Sequence, residues 1–288
     1  MTIMSENTTE RAVAPTSGLS RDLRPRIISG LVMGLIALGL NYAGPMPFAL
    51  LVVAVATLVS WEWGRVVRGQ DADFAFLVHA TAVIAAGGLA AIGLAAIGVV
   101  MLLIGAILVL LIQIGQHGRL SGLGVIYVGL PAVALLWIRS DEPFGFAAVL
   151  FVLLVVVVTD TCAYFGGRLI GGPRLWPRVS PNKTWAGLLS GISSAAIARA
   201  AFAVFIPDSS ATQLALSGFI LGCVSQIGDL AESALKRGFG VKDASALIPG
   251  HGGFLDRVDG VVFAAAAAAL LALTVNMHAP AQAILFWH

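Results

Sequence analysis

The chain has 288 residues, of which 17 are Lys or Arg and 15 are Asp or Glu, so charged side chains make up 11% against 58% hydrophobic ones. A soluble globular domain carries roughly 25% charged and at most about 50% apolar residues, and a mean hydropathy of +0.94 calls for an apolar solvent outside the protein as well as inside it. Disorder, a coiled coil and a disulfide scaffold are excluded because each needs many charges or many cysteines, whereas only Cys162 and Cys223 occur, in separate apolar runs without zinc-site spacing.

Crossing about 30 Å of hydrocarbon takes about 20 apolar residues as a helix, and only helices and closed barrels satisfy their backbone groups there. In chain order the candidate runs are 27–43, 46–67, 74–92, 95–115, 120–138, 144–165, 185–206, 212–230 and 258–277. The predicted fold is an all-α, polytopic bundle of about nine transmembrane helices. A polar tail, 1–26, is expected to be disordered and gives no sign of a cleavable signal peptide. About five spans, 27–143, precede a carboxyl-terminal region, 144–288, in which the longest polar loops lie. The small residues Gly87, Gly88, Gly93 and Gly98 suit close helix packing in the third and fourth spans.

Basic residues accumulate on the cytoplasmic side of short loops. If nine spans alternate, one side collects Arg21, Arg24 and Arg26, then Arg65 and Arg68, then Arg119, then Arg168, Arg174, Arg178 and Lys183, and finally Lys236, Arg237, Lys242 and Arg257. Only Arg139 falls in an opposite loop. The amino terminus and the polar loops are therefore predicted to be cytoplasmic and the carboxyl terminus outside, with a bacterial inner membrane as the simplest setting. Arg199, inside the seventh span, either snorkels or finds a partner.

Charged groups inside the spans are few, and the polar side chains gather in two islands, 159–187 and 228–260, where chemistry is expected. In the second, helical spacing aligns Asp229, Glu232 or Ser233, and Lys236 or Arg237 in one row. Gly238 and Gly240 end the helix, and a loop through Lys242, Asp243, Pro249 and His251 leads to Asp256, Arg257 and Asp259 at the start of the ninth span. Carboxylates at a helix start are favoured by its dipole, and the same end can receive a phosphate. Asp229, Asp256 and Asp259 offer the hard oxygen ligands that Mg²⁺ takes alongside phosphate oxygens and water. Their other reading is as salt-bridge partners of Lys236, Arg237 and Arg257. Lys183, Lys236, Arg237, Lys242 and Arg257 around such acids suit a polyphosphate, whose charge a metal and basic side chains can share. The glycines flanking His251 let backbone amides approach a phosphate. These features point to phosphoryl or nucleotidyl transfer. Asp160, with Tyr164 on the same helical face, either lines the site or caps a neighbouring helix.

The second island, Ser233-Ala-Leu-Lys236-Arg237, then Lys242-Asp243-Ala-Ser245, then Leu247-Ile-Pro249-Gly250-His251-Gly252-Gly253-Phe-Leu-Asp256-Arg257-Val-Asp259, resembles the signature of the phosphatidate cytidylyltransferase family, also called CDP-diacylglycerol synthase. Thr159-Asp160-Thr161, Ala163-Tyr164-Phe165, Gly167-Arg168 and Ser180-Pro181-Asn182-Lys183-Thr184-Trp185 are similar to the family's other motifs, and Glu62 in Trp61-Glu62-Trp63 is a fainter likeness. The chain departs from the pattern at Ala186, where the family often has Glu. The resemblance is close over the carboxyl-terminal half and only hydrophobic before residue 140. It implies an integral-membrane enzyme that condenses CTP with phosphatidic acid in the lipid bilayer, requires Mg²⁺, and forms a homodimer, with no nucleic-acid partner. Catalytic roles then fall to Asp229, Asp256, Lys236, Arg237 and Arg257; metal ligation to Asp229, Asp256 and Asp259; and nucleotide contacts to Asp160, Ser180, Asn182, Lys183, Thr184, Ser233, Lys242, Asp243 and His251. The alternatives are a transporter or channel, which would need polar groups at mid-depth, and another activated-lipid transferase, such as a CDP-alcohol phosphotransferase, whose Asp-Gly-x-x-Ala-Arg core is absent.

Overall fold

The computed structural model describes residues 18–115, 117–248 and 252–287, with side chains from residue 28 onward. The first 17 residues of the expected tail and His251 lie outside the described residues. The helices are α1 (Gly18–Ala43), α2 (Pro45–Arg68), α3 (Phe74–Ala91), α4 (Ala95–Ile112), α5 (Gly118–Arg139), α6 (Gly145–Leu169), α7 (Trp185–Phe202), α8 (Ala211–Gly238), α9 (Leu255–Val275) and α10 (Pro280–Phe286). Between α6 and α7 a small antiparallel hairpin pairs β1 (Arg174–Trp176) with β2 (Ser180–Thr184), Arg174 opposite Thr184 and Trp176 opposite Ser180.

Among the described residues eight helices, α2 to α9, are long and apolar enough to cross a bilayer, and the apolar part of α1, Ile28–Ala43, is shorter. The all-α membrane bundle read from the sequence is therefore the architecture, with the hairpin as a small addition. α1 begins at Gly18, inside the segment read as tail. The outward faces are as apolar as the interior: Ile97, Val100, Leu103, Ile104, Ile107 and Leu111 of α4 are all exposed. A contiguous apolar surface of that kind is stable only against lipid or another protein.

Local chemistry sets the helix boundaries. Pro45 opens α2 at a position where its missing N–H costs nothing, and Gly69 closes it in the left-handed conformation, φ 66°. Asp73 caps α3 by accepting from the Phe76 N–H at 2.8 Å, and Thr184 caps α7 by accepting from the Gly187 N–H at 3.1 Å. α9 has no capping side chain of its own.

α5 is the central helix, packed against α2, α3, α4 and α9, while α6, α7, α8 and α9 form the other half. Part of the expected glycine packing is present. A Cβ on Gly98 would lie 2.7 Å from the Ala86 carbonyl oxygen and one on Gly87 would lie 2.5 Å from Val53, whereas Gly88 and Gly93 face open space. Arg199 neither snorkels nor pairs: it is fully buried, and its guanidinium stacks over the Phe151 ring without a hydrogen bond among the described residues.

Candidate active site

Successive spans pack side by side in opposite directions, so the carboxyl-terminal ends of α6 and α8 lie beside the amino-terminal ends of α7 and α9. A cavity of about 840 Å³ opens there, walled by α6, the hairpin, the start of α7, α8, Asp243 and α9. Six carboxylates line it, from Asp160, Asp229, Glu232, Asp243, Asp256 and Asp259, together with five cationic side chains, from Arg168, Arg174, Lys183, Lys236 and Arg257. A cavity with that many opposed charges at the mouth of an apolar bundle is a polar ligand site rather than a lipid pocket.

Two lysines tie the walls together. Lys183 of β2 reaches across to α8, with Nζ 2.5 Å from Asp229 Oδ2 and 3.3 Å from Gln226 Oε1. Gln226 in turn donates from Nε2 to Asp160 Oδ1 at 2.8 Å, linking α8 to α6. Lys236 pairs with Glu232 Oε1, one turn earlier on α8, at 2.8 Å and with Asp256 Oδ1 on α9 at 2.5 Å. The second oxygen of Asp256 accepts from the Gly253 N–H at 2.8 Å and the Ala244 N–H at 3.1 Å, so this carboxylate both holds Lys236 and folds the loop.

α8 and α9 approach each other closely at the site. A Cβ on Gly228 would lie 2.6 Å from the Asp259 carbonyl oxygen, so glycine there lets Asp229 and Asp259 face one cavity. Asp160, Asp229 and Asp259 are near enough for their charges to act on one another. Only Asp229 of the three carries a salt bridge among the described residues. Asp160 accepts from Gln226 and Asp259 from its neighbour's N–H, Gly260, at 2.7 Å. Carboxylates that outnumber the cations around them repel one another, and such a surplus is what a bound cation relieves.

Residues 24–275 match the profile of the "Cytidylyltransferase family". The chain belongs to that family. It is 40% identical over 246 residues to a phosphatidate cytidylyltransferase of Brucella suis, covering 85% of this chain and 91% of the relative. A phosphatidate cytidylyltransferase of Brucella abortus matches at the same identity and coverage. One of Bacillus subtilis is 31% identical over 84% of this chain and 94% of its own length. Family membership makes the chain a nucleotidyltransferase, and its apolar spans make it a membrane-embedded one.

Of the residues singled out from the sequence, Asp160, Asn182, Lys183, Thr184, Asp229, Ser233, Lys236, Asp243, Asp256, Arg257 and Asp259 line this one cavity of the cytidylyltransferase fold. Arg237 is exposed and does not line it, because one residue along a helix turns about 100° from Lys236. Lys242 is also exposed and off the wall, and Ser180 opens β2 away from it. Asp160 lines the cavity and caps no helix, whereas Thr184 also serves as the α7 cap. Gln226 and the buried Glu232 carry more of the network than the sequence reading gave them. Gln226 lies three residues before Asp229, on the same helical face, and that spacing was the available signal.

Proposed function

We propose that the protein transfers the cytidylyl group of CTP to phosphatidic acid, releasing pyrophosphate and leaving CDP-diacylglycerol in the membrane. The supporting observation is one cavity in which the cations of β2, α8 and α9 meet a larger number of carboxylates at the end of an apolar bundle. The family match and the names of the relatives agree with it.

The acceptor is a phosphate monoester, whose second pKa near 6 leaves it anionic at neutral pH, so no side chain has to remove a proton from it. The obstacle is repulsion between two anions, and the remedy is fixed positive charge together with an in-line arrangement. Lys236 sits between Glu232 and Asp256, which restricts its ammonium to one place facing the cavity. Lys183 is held in the same way by Asp229 and Gln226. Arg257 lies on the α9 side, and Arg168 and Arg174 lie on the α6 and hairpin side, next to the exposed apolar Leu169, Ile170 and Trp176. We assign the first three to the triphosphate and the latter two to the lipid phosphate, whose acyl chains remain in the bilayer.

The donor set fits Mg²⁺. It is made of oxygen alone, and although no group of three His, Cys, Asp or Glu is arranged for a metal among the described residues, Mg²⁺ usually takes only one or two protein carboxylates. One or two of Asp229, Asp256 and Asp259, with Asp160 beside them, would hold it; for Asp256 this requires Lys236 to leave the place it occupies here and turn toward the triphosphate. When bound, the ion supplies charge neutralisation on the phosphate oxygens. The cytoplasmic placement of this cavity, the external carboxyl terminus and a homodimer belong to the same proposal, the first two resting on the basic residues gathered at that end.

The test mixes purified protein, phosphatidic acid, Mg²⁺ and CTP labelled in the cytidine. Label in the lipid fraction with stoichiometric pyrophosphate is expected. Absence of lipid label from an intact, folded preparation would sink the proposal.

A further inference from the structure

Glu62 is the one ionisable residue in α2 before Arg65, and it is fully buried. A carboxylate in that place is tolerated only if its charge is met by strong donors. Those donors come from the opposite half of the chain. Glu62 Oε1 accepts from Ser245 Oγ at 2.5 Å and from the Phe254 N–H at 2.9 Å, and Oε2 accepts from the Leu255 N–H at 2.6 Å. Phe254 and Leu255 open α9, the helix that lacks a cap of its own. Glu62 therefore supplies in trans the anion that a helix amino terminus favours. Gly253 belongs to the same device, since a Cβ there would collide with the Glu62 carboxylate.

We propose that Glu62 is a positioning residue for cytidylyl transfer: by clamping Ser245 and the first turn of α9, it sets where Asp256, Arg257 and Asp259 enter the cavity. The inference rests on the function proposed above. Two carboxylates divide the loop between them. Glu62 holds residues 245, 254 and 255 from the rear, while Asp256 holds 244 and 253 from the front. Glu62 itself does not line the cavity, so it acts on substrate only through the residues it holds.

The experiment uses the full chain with Glu62→Ala, Glu62→Gln and Ser245→Ala, measuring turnover, KM for CTP, thermal unfolding, and hydrogen exchange at the amides of Phe254 and Leu255. Removing a group that orients reacting residues commonly costs 10- to 100-fold in activity, and that loss in kcat is expected for folded Glu62→Ala. Glu62→Gln, which keeps an acceptor without the charge, should recover part of it. Exchange at the two amides should quicken about tenfold in both Glu62 variants, the equivalent of losing one charge-assisted hydrogen bond. A folded Glu62→Ala with kcat within about twofold of wild type would overturn the inference, as would a loss of activity that tracks only the loss of folded protein. If Glu62→Ala fails to fold, Glu62→Gln and Ser245→Ala decide: reduced kcat with normal unfolding supports the clamp, and unchanged kcat in both overturns it. Wild-type protein that does not label lipid would instead defeat the underlying function, while the exchange measurement still reports on the clamp.

Discussion

Two polar clusters sit at the same end of the bundle, and they are balanced differently. In the amino-terminal half, Arg68 donates to both oxygens of Asp73, at 2.7 and 2.9 Å, and Gln113 adds a third donor at 3.3 Å. One cation meets one carboxylate, and the carboxylate also caps α3. In the carboxyl-terminal half, six carboxylates face five cationic side chains around a cavity more than three times larger, about 840 Å³ against about 240 Å³. Asp160 and Asp259 have no salt bridge there among the described residues. A closed pair stabilises a fold, whereas an open surplus of charge waits for a ligand. The His117 ring, 5.4 Å from that of Phe239 at the end of α8, joins the two regions.

The comparison breaks most visibly at Asp256. Asp256→Asn should lower turnover by about 10³-fold, the upper range for removing one group that manages charge in a transition state, because it releases Lys236 and removes an oxygen ligand together. Purified variant protein with a normal unfolding profile and wild-type turnover at any Mg²⁺ concentration would contradict the assignment. Lys183→Ala comes next. It strips Asp229 of its partner and takes one cation from the triphosphate, and a fall in kcat/KM on the order of 10²-fold is expected from steady-state kinetics.

The sequence reading succeeded where chemistry and pattern coincide. The spans from α6 to α9 were legible because long apolar runs have one stable form in a bilayer, and the meeting of Asp229, Lys236 and Asp256 in one cavity was legible because polar residues at span ends are expensive without a purpose. The β1–β2 hairpin was not, since Arg174–Trp176 is three residues long and its partner strand contains Pro181, with no alternation of apolar residues. The environment of Arg199 was open as well. A guanidinium over Phe151, on a different helix, depends on how α6 and α7 pack. Glu62 shows the same limit most clearly: its motif was visible, but its partners lie 183 to 193 residues away.

Lys242 tests the boundary of the charged region. It is exposed and off the cavity wall, so Lys242→Ala should raise KM for CTP by less than about fivefold, the worth of one exposed charge, with kcat unchanged. A larger rise in nucleotide titrations would move Lys242 into the site and enlarge it past the cavity described above.

The smallest effect on turnover belongs to the closed pair. Asp73→Asn keeps a capping oxygen but loses the ion pair, so turnover at neutral pH should stay within about twofold while stability falls by about 1–2 kcal/mol, the value of a charge-assisted hydrogen bond. The pH dependence gives this its sign. Burial alone would raise the Asp73 carboxyl above its ordinary 3.8, but the Arg68 guanidinium and the Phe76 N–H outweigh it and hold the group below that value. A carboxyl depressed in the folded state contributes stability that is fully present above the unfolded pKa and is lost as the pH falls through the folded one. Wild type and Asp73→Asn should therefore differ most at pH 6–7 and begin to converge only below about pH 4. Thermal unfolding of both proteins across that range reads the difference directly. Parallel curves down to pH 3 would show that Asp73 acts only through its cap, and that the amino-terminal cluster is held by geometry rather than by charge.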